Sequence, residues 1–267
     1  MARTAREWIR VIERNRPEKI AADKPQKSPE ENGALPPDFE RNAAPLRAAR
    51  SGYIQAVDYE SLVETARRAG GVLRLEKGVG DFVARGETWA LGWPANRWQD
   101  GDLARSVALG NHRNPTQDVL YPLQQLVEIA LVALSPGVNV QFTAQTCIDW
   151  IGVGLGEAAR RDEEKTLFFD ENHDLRLQIR AVSFGDLCDH AFDAIRQSGA
   201  GNGATVVRLL QTLEKLSACV ENEAQREILR RHARQIGEAA RAQNPTREDE
   251  AEFEAHLRKM ESFKSLD

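Results

Sequence analysis

The sequence is poor in the residue patterns on which catalysis is usually built. Its three cysteines, Cys147, Cys188 and Cys219, are isolated, with no CxxC and no Cys/His pair at metal spacing. That excludes a disulfide framework and reads as small apolar fillers in a reducing compartment. The five histidines never fall into HExxH or another ligand spacing, so neither a metal nor a cofactor is expected. Ser135 lacks the Gly-x-Ser-x-Gly elbow of a hydrolase. Long apolar runs are missing too. Ile129 to Leu134 is the longest in the helical region, far short of the roughly 20 residues that span a bilayer. Positive charge is not in excess: the net charge is -5 and the pI about 5.7, against nucleic-acid binding by bulk electrostatics. Met1 leads into spaced arginines rather than the apolar core of a signal peptide. The expected localisation is cytoplasmic.

What is present is an ordinary core-forming balance, 41% hydrophobic and 29% charged residues in a chain of 267. Four segments follow. Residues 1–16 form a basic amphipathic helix, with Ala5, Trp8, Ile9 and Ile12 on one stripe and Arg3, Arg6, Arg10 and Arg14 elsewhere. Residues 17–50 read as a linker, because six of the eleven prolines crowd between Pro17 and Pro45. Residues 51–100 read as a small β-rich subdomain with a helix near 58–69. Residues 101–267 read as helical, over 118–134, 142–160, 184–197, 204–219, 224–240 and 247–263. The fold class is therefore α+β: a small β-rich unit followed by a mostly α-helical array.

Within "GVLRLEKGVGDFVARGETWALGW" apolar positions alternate, and Gly78, Gly80 and Gly86 punctuate at turns. The Gly80-to-Gly86 spacing resembles half of a biotinyl/lipoyl-type hammerhead. Lys77 lacks the flanking residues of a cofactor-carrying lysine, so a hammerhead-like scaffold without a cofactor is the expectation. "GVGLG" at 152–156 continues a helix and does not follow a strand, which makes it a small-residue packing surface rather than a phosphate loop.

In "SPGVNVQFTAQTCIDW" the Ser135-Pro136-Gly137 break ends one helix, and Asn139 is placed to cap the next. Gln117 and Asp118 fall in the first turn of the preceding helix, where a carboxylate complements the dipole. The corner is expected to be buried, with Gln117, Asp118, Gln125, Ser135, Asn139 and Thr143 as candidate ligand-binding residues and free amides able to hold an anion. Asp186, Asp189, His190 and Asp193 lie close together on one helix and read as a solvated charged face, with a proton relay as the weaker alternative.

"QDVLYPLQQLVEIALVALSPGVNVQFTAQTCIDWIG", "SGYIQAVDYESL" and "FGDLCDHAFDAIRQSG" resemble the soluble C-terminal half of the DUF2254 predicted membrane proteins. The resemblance covers residues 51 to about 240. It implies transmembrane helices upstream, in the family, of the part represented here. Where the family tends to read Ser-Pro-Gly-x-Asn-Asp-Pro, this chain has Val140 and Gln141 in place of the Asp-Pro. An arginine of the family pattern is Gln124 here.

Function follows as two expectations. The first is a non-enzymatic regulatory or interaction domain, peripheral at the inner membrane, whose partner is a membrane surface, a membrane protein or a second copy. Arg3, Arg6, Trp8, Arg10 and Arg14 are the candidate membrane-surface residues, since residues 1–27 hold eight Lys/Arg against four Asp/Glu. The second is an enzyme or anion-binding protein with its site at the Ser-Pro-Gly corner.

Overall fold

The computed structural model describes residues 1–16, 34–161, 165–220 and 222–262. In chain order the elements are α1 (Ala2–Asn15), α2 (Phe39–Asn42), β1 (Ala44–Arg47), β2 (Gly52–Val57), α3 (Tyr59–Ala69), β3 (Val72–Leu75), β4 (Phe82–Val83), β5 (Thr88–Trp93) and β6 (Val107–Gly110). Then come α4 (Leu120–Leu134), α5 (Gln141–Ala159), β7 (Leu167–Phe169), β8 (Leu175–Gln178), α6 (Phe184–Gly199), α7 (Gly203–Cys219), α8 (Glu223–Arg241) and α9 (Arg247–Ser262). They form an α+β protein of two compact units. One is helical, from Met1–Lys19, Val119–Glu163 and Val182–Asp267; the other is β-rich, from Ile20–Asp118 and Glu164–Ala181.

In the helical unit α5 is the central element, packing against α1, α4, α6 and α7. Its glycines make this close approach work. A Cβ on Gly154 would lie 2.2 Å from the Trp8 ring, and one on Gly152 would lie 2.6 Å from Thr212. The 152–156 stretch is thus a small-residue packing surface, as its composition suggested. Helix α1 packs its Ala5, Trp8, Val11 and Ile12 stripe fully into this core. Trp8 is therefore not a membrane-surface residue. An indole is the largest apolar body on the helix, and the gap over Gly154 receives it.

Chain chemistry sets the helix ends. Ser183 and Asp186 form a capping box at α6, Asn202 caps α7 through the Thr205 amide, and Asn222 caps α8 through the Ala224 amide. Asp58 does the same for α3, which ends on Gly70 in the left-handed region.

The β unit holds a five-stranded sheet, β1-β5-β3-β8-β7, and a three-stranded one, β4-β2-β6. Three sequence expectations change here. Within the stretch read as linker, the described part carries α2 and β1, with Phe39 and Leu46 buried; residues 17–33 lie outside the described residues. Pro45 is tolerated because β1 is an edge strand. Within the stretch read as helical, β6 pairs with β2, β7 and β8 return to the five-stranded sheet, and β8 pairs parallel with β3. A parallel neighbour needs a long crossover, and here α4 and α5 lie in the intervening chain. The hammerhead-like hairpin also does not form: β3 and β4, on either side of Gly78 and Gly80, belong to different sheets. Lys77 is ion-paired with Glu87 at 3.1 Å.

Candidate functional site

The Gln117-Asp118 turn belongs to the β unit, and both side chains are spent on its construction. Gln117 Oε1 accepts from the Val57 amide (2.9 Å), and its Nε2 donates to the Val57 carbonyl (3.2 Å), extending β2 as a backbone would. Asp118 is 3% exposed and takes two hydrogen bonds from Arg113, at 2.7 and 2.9 Å. Gly80, at φ +92°, approaches so closely that a Cβ would sit 2.5 Å from Asp118 Oδ2. A side chain there would break the pair, and losing one partner of a buried pair costs about 3–5 kcal/mol.

Gln125, Ser135, Asn139 and Thr143 belong to the helical unit. Helix α4 stops at Ser135, whose Oγ donates to the Val132 carbonyl (2.7 Å). The amides of Val138 and Asn139 both donate to the Ser135 carbonyl, and that of Val140 to Ala133. The corner is therefore a hydrogen-bonded turn whose amides are engaged within the chain, so it does not offer them to an anion. Two details overturn the expected geometry. Asn139 does not cap α5: it stands at φ +44°, and the cap position is Val140, without a side-chain cap bond. A left-handed residue is what this turn requires, and asparagine is among the few that adopt it at modest cost. Nor is the corner buried: Gly137, Val138, Asn139 and Val140 are exposed.

Exposure gives the corner its chemistry. Val132 is 61% exposed, Val138 51%, Val140 45% and Phe142 83%. Val132, Val138 and Val140 line an open groove of about 580 Å³ together with Arg3, Gln125, Glu128, Ile129 and Thr143. The structure thus brings two expected polar residues, Gln125 and Thr143, and one expected membrane-surface residue, Arg3, to one apolar groove. From Arg3 the exposed face of α1 continues through Arg6, Arg10 and Arg14. The apolar half of this surface escaped sequence reasoning, although Val132, Val138, Val140 and Phe142, around a Ser-Pro-Gly break, were visible as such.

The remaining candidates disperse. Asp186 is held in the α6 capping box, and His190 Nδ1 meets the Asp186 carbonyl at 2.8 Å. Asp189 instead faces α8, where it meets Arg231 (2.6 Å) and His232 Nε2 (3.1 Å). His232, which sequence reasoning did not single out, is fully buried and tilted against Phe192. Its place on the apolar stripe with Leu229, Ala233 and Ile236 was the available signal. Burial pushes the Cys147 thiol up to about 11 and Cys188 well above the ordinary thiol range, so neither is a ready thiolate. Cys219 is exposed and not the buried filler expected.

Comparison with known proteins places this geometry. Residues 1–215 match the family described as "Predicted membrane protein (DUF2254)". The chain belongs to that family. It is 30% identical over 199 residues to the uncharacterised protein Mb1321c of Mycobacterium bovis, covering 70% of this chain and 37% of that protein. The uncharacterised protein Rv1290c of Mycobacterium tuberculosis matches to the same extent. The chain thus spans somewhat over a third of the length of these relatives. No solved structure matches it. Among the described residues no helix is long and apolar enough to cross a membrane.

Proposed function

We propose that this chain is a non-enzymatic domain that rests on the cytoplasmic face of an anionic membrane through the α4–α5 corner and the arginine face of α1. The carrying observation is the exposure of Val132, Val138 and Val140 along a groove that Arg3 shares, with Phe142 exposed in the first turn of α5. An apolar tip beside cationic side chains suits the interface of an anionic bilayer, where acyl chains take the first and lipid phosphates attract the second. Each basic residue near such a surface contributes on the order of 1 kcal/mol. The description of the family as membrane proteins supports the same setting. The non-enzymatic reading draws support from the polar residues that an active site here would have used. Gln117 and Asp118 are committed to β2 and Arg113, and Ser135 Oγ to a backbone carbonyl.

The test is co-sedimentation of the full chain with vesicles of phosphatidylglycerol and phosphatidylethanolamine, against vesicles of phosphatidylcholine alone. The chain should pellet with the anionic vesicles, less so at high salt. A Val138→Asp/Phe142→Asp variant should lose binding, and an Arg3→Glu/Arg6→Glu variant should weaken it. Equal pelleting of wild type and both variants, or none with anionic vesicles, would overturn the reading.

A further inference from the structure

The β unit forms a pocket of about 270 Å³ between its two sheets, lined by Leu46, Ile54, Val83, Trp89, Leu103 and Val107 among others. Those walls come from β1, β2, β4, β5, β6 and the 99–104 loop. Leu46, Ala48, Ile54, Val83, Trp89 and Leu103 belong to the buried core of the unit, and Arg47, Ala49, Arg50, Gln99, Gly101 and Ala104 form an exposed rim, so the space is an apolar-floored pocket open to solvent. An apolar space of about 150 Å³ takes a benzene-sized ring. This one is nearly twice that size.

Two of its lining residues are arginines. Arg47 Nη1 donates to the Gly86 carbonyl (3.0 Å) and Arg50 Nη2 to the Leu109 carbonyl (2.6 Å). Both side chains are exposed, and among the described residues neither guanidinium is ion-paired with a carboxylate. Asp100, the acid in contact with this stretch, accepts from the Arg47 backbone amide instead (2.9 Å). Backbone carbonyls hold the two cations at the cavity without neutralising them. An apolar pocket with guanidinium charge at its rim complements one chemistry: an apolar tail that ends in an anion.

We infer that the β unit binds a medium-chain acyl carboxylate, its tail in the cavity and its carboxylate at Arg47 and Arg50. The site is independent of the membrane-surface reading, since it lies in the other unit and uses none of the same residues. Phosphate-headed amphiphiles share the anion but carry a bulkier, more hydrated head, and they serve as a comparison in the test.

Equilibrium binding of decanoate to the full chain provides that test, with decanol and decyl phosphate alongside. Decanoate should saturate at one per chain and bind more tightly than either comparison. An Arg47→Gln/Arg50→Gln variant, which touches only exposed side chains, should lose about tenfold or more in decanoate affinity while keeping decanol. Ala104→Trp, at an exposed wall position, should plug the cavity and lose both ligands. Circular dichroism and melting curves establish that each variant is folded. Non-saturable decanoate binding, or saturable binding unchanged in both variants, would overturn the inference. Preference for decyl phosphate would overturn the carboxylate assignment.

Discussion

His232 carries its chemistry in the contrast between where it sits and what it faces. Burial first, and the Arg231 charge second, hold its imidazole below the ordinary value of 6.5, against the opposing pull of Asp189 and Asp193. The folded chain therefore keeps it neutral. On unfolding, the exposed ring takes up a proton at mildly acid pH. The unfolded state thus binds more protons in the window from about 6.5 down to the lowered folded value, and stability falls as pH drops through that window. Thermal melts between neutral and mildly acid pH should show the melting temperature declining. His232→Gln should melt lower at neutral pH, because the contact with Phe192 and the bond to Asp189 are lost. Its decline with acid should be shallower. An identical slope in the variant would mean that other groups carry the pH dependence.

At the scale of elements, the weak point is the start of α5. Val140 occupies the cap position and supplies no side-chain acceptor to the first-turn amides. The family pattern described above has aspartate there and proline next, which are the residues a helix start favours. Val140→Asp should raise stability by about 1 kcal/mol, read as a higher melting temperature. The same change should weaken vesicle binding, because it removes an apolar side chain from the corner. A melting temperature that does not rise would show that the α5 amides are already satisfied.

The same elements show how far the sequence could be read. Helix boundaries were legible to within a few residues from their regular apolar stripes, and the caps Asp58, Ser183, Asn202 and Asn222 fix the starts in the structure. Strands β1, β6, β7 and β8 were not. Leu175 and Leu177 alternate with polar residues over too few positions to mark a strand, and what fixes β8 is its pairing with β3, distant in the chain. Trp8 teaches the corresponding lesson for the site. The stripe it belongs to was plain, but not which surface the stripe would meet. Gly154, remote in sequence, decides that. Asn139 was legible as a special residue and misread in kind, since asparagine serves both caps and left-handed turns.

For the whole molecule, the organising fact is that each unit is assembled from separated stretches. The chain builds most of the β unit, leaves at residues 118–119 to build α4 and α5, returns for β7 and β8, and completes the helical unit with α6 to α9. The proposed membrane surface draws on α1 and the α4–α5 corner, all in the helical unit. Hydrogen–deuterium exchange of the full chain, with and without phosphatidylglycerol vesicles, therefore tests the central claim most directly. The account requires vesicle-dependent protection over residues 132–146 and the first turns of α1, with the β unit unchanged. Protection confined to the β unit, or none at the corner while the chain is vesicle-bound, would contradict it.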